Sequence, residues 1–456
     1  MKKKFHNSIL RAYDIRGVIG ETLNTEDAYA LGYKFSCFVR KKTNIPRVVV
    51  GYDGRLSSTL LNSELIRGLV EAGSNVTSIG LCPSPMLYYA DKVFNSDGAI
   101  MITGSHNPAN YNGFKMLVRG KSLHGDSILK LANYNKKGLF YKGKVQSFNI
   151  NESYIIEITK NIESLKNDLK VVWDAGNGVT GNILKKIIKI LPGKHFLLNS
   201  KIDGTFPNHH PDPTDENNLK QLKEKVLKVN ADIGIAFDGD GDRIGIIDKE
   251  GNFIPGDKLL YIFASEVIKE NPGATIISDV KASNKIFQEI KKIGGSPLMW
   301  KTGHSFIKDK MRQTKALLAG EMSGHIFFSD KYFGFDDALY ASIRLLKILS
   351  KNKNITKLLT PFSKLISTPE IKIFCEDSIK FNIMKKFKAE ILKKYSNVDT
   401  IDGIRVNNKK GWWLIRASNT QPALIVRCEA ESQNYLNVLI VEVKDLLEKY
   451  NIKNNL

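Results

Sequence analysis

The chain has 456 residues, 42% of them apolar and 25% charged, with a net charge of +21 at pH 7. This length exceeds one core and calls for three or four domains of roughly 100–200 residues each, and the ordinary composition excludes a disordered or fibrous chain. No apolar run nears the roughly 20 residues that cross a bilayer, and the basic start Met1-Lys2-Lys3-Lys4-Phe5 breaks at His6, Asn7, Ser8 and Arg11 instead of entering a signal region, so a cytoplasmic protein without a membrane partner is expected.

Arg47-Val48-Val49-Val50-Gly51-Tyr52 reads as a short buried strand that ends in the turn Asp53-Gly54-Arg55. Leu60-Leu61, Leu65-Ile66 and Leu69-Val70 follow at helical spacing. A second apolar strand, Gly98-Ala99-Ile100-Met101-Ile102, runs into Thr103-Gly104-Ser105-His106-Asn107-Pro108. A serine hydroxyl therefore stands at the carboxyl end of a strand, where open α/β sheets bind ligands. The polar, glycine-bearing stretch 136–144 closes this unit near residue 150.

The form then recurs. Val171-Val172-Trp173-Asp174 turns at Ala175-Gly176-Asn177-Gly178, and Ile183-Leu184, Ile187-Ile188 and Leu191 repeat the helical spacing. The second strand of this unit, 233–237, enters Asp238-Gly239-Asp240-Gly241-Asp242-Arg243 and leaves through the strand 244–247, with a closing turn at 248–252. A weaker third copy runs from Ile276-Ile277-Ser278-Asp279 to Ala316-Leu317-Leu318-Ala319 and the loop Gly320-Glu321-Met322-Ser323-Gly324-His325. Strand, helix, strand order predicts three related α/β domains, 1–150, 151–252 and 253–365, whose polar loops lie at equivalent strand ends. Residues 366–456 break the pattern. They read as a smaller α+β domain: a strand at 371–374, a helix at 379–394, strands around Trp412-Trp413 and 423–428, and a terminal helix.

Asp238, Asp240 and Asp242 alternate with glycines on a tight connection between two apolar strands. Three such carboxylates raise one another's pKa unless a cation binds them. An EF-hand loop needs glycine and glutamate at its sixth and twelfth positions, which here hold Arg243 and Lys249. Mg²⁺ is the expected ion because it works with phosphate oxygens, and a phosphorylated Ser105 supplies a further ligand. Arg243 is placed to fork onto a phosphate. Lys115, in Gly113-Phe114-Lys115, is a cation for the transferring group. A serine hydrolase is not indicated, since no Gly-x-Ser-x-Gly elbow surrounds Ser105 and His106 is its immediate neighbour.

Glu321, Ser323 and His325 alternate, so an extended loop turns them one way, toward sugar hydroxyls. Arg416-Ala417-Ser418-Asn419-Thr420 joins a cation, hydroxyls and backbone N–H groups in one turn suited to a phosphate dianion. Cys37, Cys82, Cys375 and Cys428 lack metal spacing and read as free thiols, buried or partly buried. The lysines are scattered among asparagines without aromatic interleaving, so most of the positive excess is solvated surface and no nucleic-acid partner is expected. Nucleic-acid binding remains the rival from another class that the charge permits.

In these four loops, in their order and over essentially the whole chain, the sequence resembles the α-D-phosphohexomutases, and within them the bacterial phosphomannomutase/phosphoglucomutase group. The resemblance implies three related α/β domains and a smaller C-terminal α+β domain around a central cleft. It implies a phosphoserine at Ser105 and Mg²⁺ on Ser105, Asp238, Asp240 and Asp242. The catalytic set is then Ser105, Arg16, His106, Lys115 and Arg243, with Arg16 or Lys115 as proton-transfer partners. Tyr13, Lys281, Gly303, His304, Glu321, Ser323, His325, Arg416, Ser418, Asn419 and Thr420 become substrate contacts. The implied reaction moves phosphate between C1 and C6 of mannose or glucose phosphate through a hexose 1,6-bisphosphate, which also serves as activator, in a monomer or weak dimer. Met322 and Asn419 separate the chain from phosphoglucosamine mutases, the chief alternative, which usually carry glutamine and glycine there. A metallophosphatase is a third reading. Because one phosphate loop serves both poses of the bisphosphate, residues 366–456 are expected to hinge.

Overall fold

Each of the first three units is built on a strand whose residues are buried on both faces and which ends in an aspartate or an aspartate turn. The computed structural model describes residues 3–138, 141–160, 162, 165, 169–351, 354–419, 421–454 and 456. In the first unit Arg47–Tyr52 pairs in parallel with Asn75–Leu81 on one side and Gly98–Ile102 on the other. Tyr111–Val118 then returns antiparallel to Gly98–Ile102. The second unit repeats this order with Lys194–Leu198, Lys170–Asp174, Ile233–Phe237 and the antiparallel Ile244–Asp248. The third does so with Ser296–Trp300, Thr275–Asp279, Leu318–Gly320 and Ile326–Phe328. The repeat is thus larger than strand, helix, strand. It includes a parallel flanking strand and an antiparallel return.

The consequence for function is positional. The loops at Ser105, Asp238 and Glu321 all leave the parallel strand that precedes the antiparallel return and lead to that return strand. The aspartates that end the first strands pin neighbouring loops: Asp53 Oδ2 accepts from Gly104 N at 3.2 Å and Asp279 Oδ1 from Met322 N at 3.2 Å. The fourth sheet is antiparallel throughout, with Ala423–Ala430 central between Gly411–Ala417 and Ile371–Phe374. The long terminal helix Gln433–Lys449 packs on it.

One apolar cluster runs from Met86 and Leu87 through Trp173 and Phe237 to Leu260 and Leu339, so the first three units share a core. The fourth has its own core, around Phe387, Trp413 and Val443. It meets the third through the small patch of Val280, Trp412 and Leu414 and through polar contacts. Among the described residues no helix is long and apolar enough to cross a membrane, and all four cysteines are free and buried.

Candidate active site

The serine loop is held from below. Arg55, its side chain wholly buried, donates to four carbonyls: Ser105 O at 2.7 Å, Asn107 O at 2.6 Å, Pro108 O at 2.5 Å and Tyr111 O at 2.9 Å. Thr103 Oγ1 accepts from Ser105 N at 2.8 Å. Ser105 adopts φ +49°, a left-handed conformation that a non-glycine residue keeps only where its surroundings enforce it. Its hydroxyl donates to Asp238 Oδ2 at 2.9 Å and lies 3.2 Å from His106 Nδ1. Arg16 is turned toward the same loop, donating to Asn107 Oδ1 at 2.8 Å and to Asp14 Oδ2 at 2.5 Å.

Across a domain boundary, the aspartate turn faces this serine. Asp238 Oδ1 accepts from the backbone N of Gly241, Asp242 and Arg243 at 2.9, 3.1 and 3.2 Å. Asp240 Oδ2 accepts from the Ser84 hydroxyl and from Lys115 Nζ, the latter at 2.6 Å, and Asp242 Oδ2 accepts from Lys115 Nζ at 2.5 Å. Burial and the charges of Asp240 and Asp242 push Asp238 well above the usual carboxylate range. Burial acts on Asp240 in the same sense, but Lys115 and Ser84 outweigh it and hold that group low. Lys115 is kept firmly protonated against burial by the same two carboxylates.

The donor set fits a hard divalent cation. The three carboxylates offer oxygens within 4.8 Å of one another, all fully buried. Asp240 Oδ1 and Asp242 Oδ1 have no hydrogen-bond partner among the described residues, and a buried acceptor left unmade is costly unless something binds it.

His325 and Arg243 join this group to the third unit. Arg243 Nε donates to His325 Nε2 at 3.0 Å, and His325 Nδ1 lies 3.1 Å from Asp336 Oδ2 and 3.5 Å from Asp242 Oδ1. Lys308 Nζ donates to Asp336 Oδ1 at 2.9 Å, and His304 Nδ1 lies 3.5 Å from Asp336 Oδ2. Burial, then the nearby cations Arg243 for His106 and Lys308 for His304, drives both imidazoles well below the usual histidine value, so both are neutral.

The loop 320–325 is not extended, contrary to the alternation of its residues. Glu321 N donates to His325 O at 2.9 Å and Gly324 N to Glu321 O at 3.0 Å, which close a turn. Glu321 and His325 consequently face different partners. Glu321 Oε1 accepts from Gly303 N at 2.6 Å, while its Oε2 is buried and unpartnered among the described residues. Ser323 is half-buried. Gly303 has φ +130°, and a Cβ there would stand 3.0 Å from the Tyr13 ring, which also meets His304 edge-on at 5.5 Å.

The remaining cations lie toward the fourth domain. Lys281 Nζ donates to Glu370 Oε1 at 2.6 Å, and Arg416 Nε to Asp402 Oδ2 at 3.0 Å. Ser418 is buried, its Oγ accepting from Gln421 N at 3.1 Å, and Asn419 is half-buried beside it. Thr420 lies outside the described residues. Tyr13 links the two groups, since its hydroxyl feels both Arg416 and Arg243. Arg55, Ser84, Asp336, Lys308, Glu370 and Asp402 join the site from outside the four loops that the sequence marks. Arg55 alone left a signal, as the last residue of the Asp-Gly-Arg turn.

A serine and an acidic cage at the joint strand ends of three repeated α/β units define a phosphotransferase of the multidomain mutase class. The four domain descriptions of the phosphoglucomutase/phosphomannomutase family match residues 7–142, 152–251, 255–365 and 370–446. The chain is 46% identical over 93% of its length to a phosphomannomutase/phosphoglucomutase of Pseudomonas putida, covering 92% of that protein. It is 42% identical to a phosphoglucomutase of Neisseria meningitidis, with 96% of each covered. A solved phosphoglucomutase/phosphomannomutase family protein from Burkholderia thailandensis superposes with a TM-score of 0.90 at 40% identity, covering 98% of this chain and 99% of that one. The chain belongs to the phosphoglucomutase/phosphomannomutase family.

Proposed function

We propose that the protein is a phosphohexomutase, moving phosphate reversibly between C1 and C6 of mannose or glucose phosphate through a phosphoserine at Ser105 and a hexose 1,6-bisphosphate. The names of the relatives support the activity. The observation that carries the site is the Ser105 hydroxyl, 2.9 Å from Asp238 and beside two carboxylates with open oxygens.

In this reading Asp238, Asp240, Asp242 and the serine oxygen hold Mg²⁺, whose charge, when bound, offsets that of the transferring group. A sugar hydroxyl oxygen bonds to phosphorus as the bond from phosphorus to Ser105 Oγ breaks, and the hydroxyl proton leaves to the protein. Arg16 or Lys115 is the proton-transfer partner, giving a proton to the departing Ser105 Oγ and taking up the one the sugar hydroxyl loses, with His106 and Arg243 lining the reacting phosphate. Glu321, Ser323 and His325 take sugar hydroxyls; the open Glu321 Oε2 is an acceptor for one of them. Arg416, Ser418, Asn419 and Thr420 hold the phosphate that is not reacting, with Tyr13, Lys281, Gly303 and His304 along the path between. The bisphosphate then turns over, and its other phosphate returns to the serine.

The proposed divisions are 1–150, 151–252, 253–365 and 366–456; the second sheet oversteps its division by the short strand Phe253–Ile254, which pairs with Ile244–Asp248. The sugar phosphate is the partner of a cytoplasmic monomer or weak dimer. Turnover of mannose 1-phosphate, glucose 1-phosphate and glucosamine 1-phosphate, each with Mg²⁺ and a bisphosphate primer, tests the reading. Conversion of the first two is expected. Preference for the third supports an amino-sugar mutase, net phosphate release a phosphatase, and nucleic-acid retention without turnover the rival class.

A further inference from the structure

The arginine of the fourth domain is gripped by a carboxylate that also reaches into the third. Asp402 lies in the turn between Val398–Asp399 and Ile404–Asn408. Its Oδ2 accepts from Arg416 Nε at 3.0 Å and its Oδ1 from Arg416 Nη2 at 3.4 Å. The same Oδ2 accepts from the backbone N of Thr302 at 3.0 Å, across the domain boundary. The turn is pressed against the arginine: Gly403 has φ +93°, and a Cβ there would stand 2.5 Å from Arg416 Cβ.

This grip is side-on. It uses Nε–H and one Nη2–H of a guanidinium that carries five N–H groups. The end-on pair, one N–H from each terminal nitrogen, meets no other hydrogen-bond partner among the described residues and can fork onto a phosphate. Burial opposes the charge on Arg416, and Asp402, together with Tyr13 and Glu370, more than offsets it. The turn at Thr302 is itself pinned by carboxylates, since Asp279 Oδ2 accepts from Thr302 Oγ1 at 3.2 Å and Glu321 Oε1 from Gly303 N at 2.6 Å. Asp402 thus sets the direction of Arg416 and ties it to the loop that carries Gly303 and His304.

We propose that Asp402 is a positioning residue: it aims the end-on face of Arg416 at the substrate's non-reacting phosphate and couples that aim to the Thr302–Gly303 turn. This rests on the reading that Arg416 binds that phosphate. Asp402 itself touches no substrate and acts through Arg416.

The test uses the full chain with D402A and D402N. Affinity for a hexose 1-phosphate is read by titration calorimetry, KM and kcat by mutase assay, and folding by thermal melting. D402A is expected to raise the dissociation constant and KM about tenfold, the worth of one charge-assisted hydrogen bond, with kcat within about twofold. D402N, which keeps one acceptor in the same shape, should raise them about threefold, and it carries the test if D402A fails to fold. In an Arg416→Ala background, D402A should add little, because both act on one contact. Unchanged affinity in both variants overturns the proposal, as does a fully multiplicative effect in the double variant. If the wild type binds hexose phosphate without isomerising it, the functional reading falls while the D402N affinity still decides the role of Asp402.

Discussion

Gly239 is where the aspartate turn and the serine loop meet, and alanine there should act as a spacer between them. A Cβ at this position would stand 2.6 Å from Ser105 O, whereas ordinary contact begins at 3.4 Å. Gly239 is not among the residues with positive φ, so alanine is permitted by its own backbone and the whole effect falls on the contact. The carbonyl has little freedom to retreat, because Arg55 Nη2 holds it at 2.7 Å. Behind Gly239 the chain is equally close, since a Cβ on Gly178 would stand 2.9 Å from Gly239 O. The two loops must part by about 0.8 Å, which carries the Ser105–Asp238 hydrogen bond from 2.9 Å to beyond ordinary hydrogen-bond range. A displacement of about 1 Å at a reacting centre costs on the order of 10²-fold in rate. G239A is therefore expected to lower kcat/KM by roughly 30- to 100-fold while shifting the melting midpoint by only about 2–4 °C. Coupled mutase kinetics and calorimetry on the same preparation check it. A kcat/KM within about twofold of wild type, at unchanged stability, would refute the claim that serine–aspartate spacing governs the reaction.

Arg55→Ala should destabilise the fold by about 3–5 kcal/mol, since it leaves Asp53 buried without its cation, and should also remove turnover by freeing the serine loop; denaturant unfolding and activity read the two effects. Lys115→Met should make Mg²⁺ raise the melting midpoint more than it does in wild type, because no ammonium then neutralises Asp240 and Asp242; an equal shift contradicts the competition of the two cations for the charge of these carboxylates. Chelation should abolish wild-type turnover, and Mg²⁺ should restore it. Burial pushes Asp337 up to about 6 despite bonds from Tyr154 and Tyr332. The folded chain therefore holds this proton more tightly than the unfolded one. Its stabilising contribution is complete below the unfolded pKa of roughly 3.9 and is lost as pH rises through about 6. Asp337→Asn, neutral throughout, should gain stability relative to wild type as pH is raised over that window, and a constant difference would contradict the assignment.

The strands that carry the loops were legible because they are apolar on both faces, as in Gly98–Ile102 and Ile233–Phe237. The flanking strands Asn75–Leu81 and Lys194–Leu198 were not, since half-buried strands mix lysine, asparagine and serine among their apolar residues. The chemistry of Asp238, Asp240 and Asp242 was readable because all three sit in one turn. The partners that make the site work come from elsewhere in the chain: Ser84 reaches Asp240 across a domain boundary, and Asp336 reaches His325 from beyond the return strand. No spacing rule connects such positions. Alternation misled at Glu321, Ser323 and His325, where the Glu321–His325 backbone bond closes a turn that the side-chain pattern does not reveal.

The oxygen of Ser105 is the proposed carrier of the phosphoryl group. Incubation with a hexose 1,6-bisphosphate labelled in its phosphates, followed by peptide mapping, measures this directly. The label is expected on the peptide containing Ser105, with Ser105→Ala taking up none and losing hexose phosphate isomerisation. Label on another residue, or undiminished isomerisation by Ser105→Ala, would contradict it.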